Sequence, residues 1–482
     1  MMSVLYPLLL SLLSILSVVY GAPSEDLIVA LPGLKNPLPW KQYSGYLNGT
    51  EKKHLHYWYL ESSSPSQASD PVVLWMNGGP GCSSDLGLLS EHGPFRVAPD
   101  GETLTLNPYS WNKVANMLYL EAPAGVGFSY ADDKEYKTDD DQVSLDNYFA
   151  LKDFFSKFPE LAKNDFFITG ESYGGIYVPT LSQRVIKDPG INFKGFAVGN
   201  GLSDYGMNTD SLIYFAYNHG LIGQKIWKDL GSCCGGNLTR CTFHSNPSKS
   251  PVCSQAISEV ETIVYMSGLN EYNLYAKCES TKAGVWFDKE TNAYSYSLFP
   301  WHYHSNPTYR KQLQFVQDLR SQGHNLRLTP PCLNYNNVLK YMRSKETRKA
   351  LHIPDDVQAW DLCSAIVGAQ YKTLYQSMKI QYEDVLNKGK RILVYNGDVD
   401  MACNFLGDEW FTDNLNLKVK VERKIWKTMV DDGTLQVAGF VKQFENLTVV
   451  TVRGAGHMVP TDKPSQALYM FTNFIQNKPY MS

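Results

Sequence analysis

What this chain has least of is basic charge in blocks: across 482 residues the formal net charge is −4, and neither Lys nor Arg forms a long run. A nucleic-acid partner, which needs a basic stripe or patch, is therefore not expected. Apolar runs are scarce as well. Residues 7–19 form the one clear example, shorter than the ~20 residues a spanning helix needs, and no later segment is long and apolar enough to span. No internal repeat or low-complexity array is present, which sets repeat architectures aside. Gly125-Val-Gly127 lacks the third glycine and the following helix of a dinucleotide-binding loop. His54-x-His56 puts two imidazoles on one strand face, but no carboxylate or third histidine lies close by in sequence, so a solvated face is expected there rather than a metal. No cofactor and no metal are expected.

The apolar core at 7–19 is followed by Tyr20-Gly21-Ala22-Pro23 and then by polar, acidic sequence. That order predicts a secretory signal peptide over 1–21, with no membrane attachment after its removal. An uncleaved anchor is the rival reading. Entry into the secretory pathway makes the nine cysteines legible as bridges, eight able to pair and one left over. Cys233, Cys234, Cys241 and Cys253 crowd into a polar segment with little apolar material, where bridges would act as staples. Zinc is the alternative, although adjacent Cys233 and Cys234 do not match the usual Cys-x₂-Cys spacing. Asn48-Gly-Thr50, Asn237-Leu-Thr239 and Asn446-Leu-Thr448 have the form of glycosylation acceptors.

Hydrophobic patterning predicts strands over 55–60, 72–76 and 117–120, then a helix over 143–158 stopped by Phe158-Pro159. A strand at 165–169, a sharp turn, a helix at 175–187 and a strand at 193–198 continue the alternation. Such alternation implies an α/β fold, a mostly parallel central sheet with helices on both faces. After Gly199-Asn200-Gly201 the pattern breaks, and 201–330 is rich in Tyr, Asn, Ser, Gly and Cys. We read 22–200 and 331–482 as two parts of one core, and 201–330 as an inserted cap domain. The stretch near 280–325 lacks strong periodicity and is a plausible place for proteolytic nicking.

The chemistry is concentrated where strands end. Asp165-Phe-Phe-Ile-Thr-Gly170-Glu171-Ser172-Tyr173-Gly174-Gly175 has the layout of a nucleophile elbow, a serine on a tight strand-to-helix turn with small neighbours that let backbones approach. Gly-x-Ser-x-Gly alone is weak, since a glycine-rich turn is also ordinary punctuation. Two later strands add weight: one leads into Asp400, the other into Gly454-Ala-Gly-His457. Ser, Asp, His is the order of the α/β-hydrolase fold. In that arrangement Ser172 attacks, His457 shuttles the proton and Asp400 orients the imidazole. Asn77-Gly-Gly-Pro80-Gly81 offers backbone N–H groups for an oxyanion hole, Gly79 together with Tyr173 after the nucleophile.

Trp75 to Ser84, Glu91-His-Gly-Pro94, Asn107 to Asn112, Glu121 to Tyr130, Gly170 to Gly175, Asn396 to Cys403 and Gly454 to Pro460 together resemble the serine carboxypeptidases. The likeness runs from about residue 25 to the end. It implies an α/β-hydrolase fold with a cap, release of C-terminal amino acids from peptides at acid pH, and no cofactor. The substrate's free carboxylate would be recognised by Asn77, Gly78, Glu91 and Glu171, with Trp75 beside them. Glutamates help there only when protonated, as O–H donors. Close desolvated carboxyls share a proton and lift one pKa above the free value of about 4.3. The likeness also implies the bridges Cys82–Cys363, Cys233–Cys253, Cys234–Cys241 and Cys278–Cys332, with Cys403 free near the substrate. It further implies a homodimer and a lysosomal destination, secretion being the alternative. A protective role toward lysosomal glycosidase partners, or an acyltransferase or esterase on the same frame, are the other functions it permits.

Overall fold

The computed structural model describes residues 22–481 except 240, 244–249, 279–284, 289–292, 297–310, 312–313, 317, 320, 325 and 431–432. The expected signal peptide and much of the expected nicking stretch lie outside the described residues. Runs of β-branched and aromatic residues become strands: β1 Gln42–Asn48, β2 Lys53–Leu60, β3 Val72–Met76, β4 Asn116–Leu120, β5 Phe166–Ser172, β6 Phe193–Gly201, β7 Arg391–Gly397, β8 Val421–Met429, β9 Leu435–Gln443 and β10 Leu447–Val452. They lie in one sheet in the order β1-β2-β4-β3-β5-β6-β7-β10-β9-β8. The inner ladders, from β4 through β3, β5, β6 and β7 to β10, are parallel, while both margins are antiparallel. The hairpin β8–β9 is an element the sequence reading did not place.

Alternation along β3 shows why both faces are covered. Val72, Leu74 and Met76 join one apolar cluster, and Val73 and Trp75 join the other. A strand buried on both sides needs helices on both faces. Helix α1, Asp140–Lys157, and α2, Gly174–Val185, pack on the Leu74 side, and Pro464–Ile475 on the Trp75 side. The first of these begins three residues ahead of its expected start. The acidic stretch there is no loop, because the Asp139 side chain accepts from the Gln142 N–H at 2.9 Å and caps the helix.

Beyond β6 the chain builds a third apolar cluster, with Leu212, Phe215, Val260 and Val264 packed with Val399 and Met401 of the core. Its polar part is stapled by Cys233–Cys253 and Cys234–Cys241, and Cys278–Cys332 and Cys82–Cys363 complete the bridges, leaving Cys403 free and buried. The stretch expected to lack regular structure departs from that expectation in part. Val285–Asp288 and Ala293–Tyr296 form a hairpin that pairs with Leu326–Leu328.

Candidate active site

Ser172 ends β5, two residues before α2 opens. Its φ of +61° lies in the left-handed region, rare for a residue with a Cβ. The surrounding glycines leave no room for side chains: a Cβ on Gly170 would sit 2.5 Å from the Met76 carbonyl oxygen, and one on Gly175 would sit 2.4 Å from the Leu202 nitrogen. Gly78 comes closer still to the turn, where a Cβ would lie 2.4 Å from the Tyr173 nitrogen. The loop that carries Gly78 and Gly79 is therefore pressed against the backbone of the elbow.

Asp400 and His457 arrive on the loops after β7 and β10. His457 Nδ1 lies 2.9 Å from Asp400 Oδ2. The carboxylate is fully buried and accepts from Asn200 Nδ2 at 2.8 Å, the Ala402 N–H at 2.9 Å and the Cys403 N–H at 3.1 Å. Those donors hold it as an acceptor toward the imidazole. Burial lowers the pKa of His457, but Asp400, Glu91 and Glu271 outweigh that effect and leave it above the ordinary histidine value.

A cavity of about 210 Å³ meets Ser172, His457, Asn77, Gly78, Gly79, Glu171, Glu271 and Tyr272. Trp75, Glu91, Tyr173, Asp400 and Cys403 do not line it. They act from behind. Asn77 Nδ2 donates to Glu171 Oε1 at 2.8 Å and to Glu91 Oε1 at 2.9 Å, while its Oδ1 accepts from Trp75 Nε1 at 2.7 Å. Both amide hydrogens are thus committed to carboxyls. Burial raises the pKa of both glutamates, and the neighbouring Glu91 pushes Glu171 further, well above the usual carboxylate range. Glu171 is thus the more basic of the two, and its hydrogen bond to Glu91 shares the pair's proton between them. Neither carboxyl faces solvent: Glu171 is 3% exposed and Glu91, at the end of a short helix over Gly87–Glu91, 0%.

Three members of the site were not found in the sequence. Glu271 lines the cavity with its carboxyl raised to about 8, by burial first and by Asp400 second. Tyr272 accepts the His457 N–H on its carbonyl, and Asn200 holds Asp400. Asn200 stood in a quoted Gly-Asn-Gly string and was legible as a polar group at a strand end. Glu271 and Tyr272 sit in the insertion, where nothing local announces proximity to the active face.

The free thiol of Cys403 is raised well above its ordinary value by burial, so it is a neutral packing group, and its hydrogen bonds to the site run through its backbone, the N–H to Asp400 and the carbonyl to Asn200. Asn48 and Asn237 are exposed and Asn446 half-buried. The expectation of a solvated face at His54 and His56 fails at His56. That ring is fully buried, with Nδ1 2.9 Å from Glu121 Oε2 and 3.9 Å from Asp85 Oδ2, groups brought from distant sequence. His56, Asp85 and Glu121 together have the donor set of a metal site. Ser44 Oγ donates to the Leu351 carbonyl at 2.8 Å, so it accepts from His56 Nε2–H at 2.9 Å. Glu121 accepts from Phe128 N–H and Trp360 Nε1–H, so both of its oxygens already have protein partners.

Comparison with known proteins settles the lineage. A family model described as serine carboxypeptidase matches residues 32–477. The chain belongs to the serine carboxypeptidase family. It is 50% identical to the lysosomal protective protein of Mus musculus over 477 residues, 98% of each chain. It is 40% identical to a serine carboxypeptidase of Caenorhabditis elegans over 470 residues, 95% of each. Among solved structures, a prohormone-processing carboxypeptidase from Saccharomyces cerevisiae superposes with a TM-score of 0.70 at 23% identity, covering 95% of this chain and 96% of that one. The fold is that of the α/β-hydrolases, and the activity is that of a serine carboxypeptidase acting on peptides.

Proposed function

We propose that this carboxypeptidase works in acid through an acyl-enzyme, with Ser172 as nucleophile, His457 as proton shuttle and Asp400 as the group that orients it. Ser172 Oγ adds to the scissile carbonyl while His457 takes its proton. The backbone N–H groups of Gly79 and Tyr173 receive the oxyanion, a single donor of this kind being typically worth roughly 10²- to 10³-fold in turnover. The C–N bond then breaks, the leaving amine takes the proton from His457, and water repeats the sequence on the ester.

The observation that carries this reading is the Asn77–Glu171–Glu91 network in the wall of the cavity that holds Ser172. With Asn77 committed to the two carboxyls, a terminal carboxylate would draw the proton that Glu171 shares with Glu91 and meet the Gly78 backbone beside it. Asn77 and Trp75 position these groups. Two titrations then bound activity. His457 must be free of its proton to act as base, and its raised pKa opposes turnover in acid. The Glu171–Glu91 pair must keep its proton for the terminal carboxylate to bind, so the acid preference is expected in KM, which should rise with pH. The name of the mouse relative is the support for placing this activity in the secretory pathway, and in the lysosome within it.

Blocked dipeptides with free or amidated C-termini, assayed across about pH 4 to 8, test the proposal with Ser172→Ala as control. The free acid should be strongly preferred in acid, and the preference should fade as pH rises. In Glu171→Gln, a neutral donor at every pH, the alkaline fall should move or vanish. Equal cleavage of both substrates by the parent would sink the carboxylate-recognition role.

A further inference from the structure

Among the described residues, Glu271 is the one acidic or basic side chain on the cavity wall to which these hydrolytic steps assign nothing. Glu171 is committed to Asn77 and the terminal carboxylate, His457 to the proton, and no Lys or Arg lines the cavity. Glu271 is also firmly held. Its carbonyl accepts from the Met401 N–H at 2.9 Å and the Ala402 N–H at 3.2 Å, tying it to the loop that carries Asp400. Its side chain is part of a wall that is otherwise largely apolar, with Leu86, Leu333, Pro330 and Met458.

An apolar wall with one carboxyl matches a side chain that has an apolar stem and a cationic tip, since the stem covers carbon surface while the tip meets the acid. We propose that Glu271 forms a subsite for a Lys or Arg side chain of the peptide, next to the scissile bond. The inference rests on the carboxypeptidase reading of this cavity.

A pH signature follows. Burial, then Asp400, push the Glu271 carboxyl up to about 8, with His457 and a hydrogen bond from Tyr272 opposing. In acid the empty subsite is neutral, and a cation must displace a proton to pair there. Below its pKa the ionised fraction falls by up to about tenfold per pH unit, while a lysine tip of pKa ~10.4 stays charged throughout. Preference for a basic over an apolar side chain should therefore climb with pH. Asp400, His457, Tyr272 and the Cys403 thiol face Glu271, and Glu171 and Glu91 share the cavity network. They act on both substrates and cancel in a ratio.

The experiment compares kcat/KM for blocked dipeptides carrying Lys or Leu, first at the C-terminal position and then at the penultimate one, between about pH 5 and 8. In the parent enzyme the Lys/Leu ratio should rise at least about tenfold over this range at one of the two positions, which also identifies the position. In Glu271→Gln the ratio should be flat. A flat ratio at both positions in the parent overturns the proposal, as does an unchanged slope in the variant. The parent series decides the matter alone if the variant does not fold. If neither Leu peptide is hydrolysed, the carboxypeptidase reading falls instead, and this inference with it.

Discussion

Among the described residues two sets of hydroxyl, imidazole and carboxylate invite comparison, that of Ser172, proposed above for catalysis, and that of Ser44. In Ser44–His56–Glu121 the serine oxygen lies 2.9 Å from Nε2, and Nδ1 lies 2.9 Å from the carboxylate. The spacing equals the 2.9 Å between His457 and Asp400. The difference is access and commitment. Ser44 sits in β1 with 0% exposure, and its O–H is engaged by the Leu351 carbonyl and so points away from the imidazole that would have to act as base. Ser172 sits on a left-handed turn at the edge of a cavity, beside a glycine-rich loop and a glutamate whose pKa burial and Glu91 raise. Interatomic distance alone does not make a nucleophile. The turn, the cavity and the unspent hydroxyl do.

The largest separation between the two sets should come from the serines. Ser172→Ala should lower kcat by about 10⁶-fold and abolish labelling by a fluorophosphonate probe. Ser44→Ala should leave labelling at Ser172 intact and cost about 1–3 kcal/mol in urea unfolding, because a buried imidazole N–H and a carbonyl lose their partner. Labelling that moved to Ser44 in the Ser172→Ala protein would break the comparison.

The carboxylates should divide in the same way, with the effect appearing in different observables. Asp400→Asn keeps the shape but favours the wrong imidazole tautomer and turns an NH₂ toward one of the donors from which Asp400 accepts, so kcat should fall about 10⁴-fold in the fraction that stays folded. Glu121→Gln weakens a buried acceptor facing His56 Nδ1, Phe128 N–H and Trp360 Nε1–H and should cost about 1–3 kcal/mol. The fraction that remains folded should turn over peptide nearly as the parent does, as active-site titration would show. Equal loss of kcat in both variants would mean that the buried set is coupled to the reaction.

How much of this was legible in the sequence depends on how local each signal is. The inner strands and the elbow were, because a strand buried on both faces has to be written as a continuous apolar run, and the tight turn after it needs glycine. Ser172, Asp400 and His457 followed from chain order and strand ends. The hydrogen-bonded role of Trp75 behind Asn77, and the burial of Glu91, were invisible, since both depend on contacts across the sheet. His56 was misjudged for the same reason: its partners Asp85 and Glu121 come from other elements, and a histidine between apolar residues on a strand looks alike whether its face is wet or dry. Glu271 was hidden by the irregular composition of the insertion that delivers it.

Asp85 gives the smallest and most discriminating test of what burial does within the inert set. Both its carboxyl oxygens are buried, with Glu121 beside them and His56 Nδ1 3.9 Å away. Burial, with Glu121 adding to it, raises its pKa well above the ordinary aspartate value. The folded protein therefore keeps this proton at pH values where the unfolded chain has released it. Stability falls as pH rises from about 4 toward the folded pKa, at up to about 1.4 kcal/mol per unit for this one group. Asp85→Asn has no such proton to keep. Its stability relative to the parent should be nearly level near pH 4 and should grow in the variant's favour toward neutrality, measured by urea unfolding at each pH. Parallel curves would show that Asp85 ionises in the fold after all, and that the buried set carries one more negative charge than its contacts can balance.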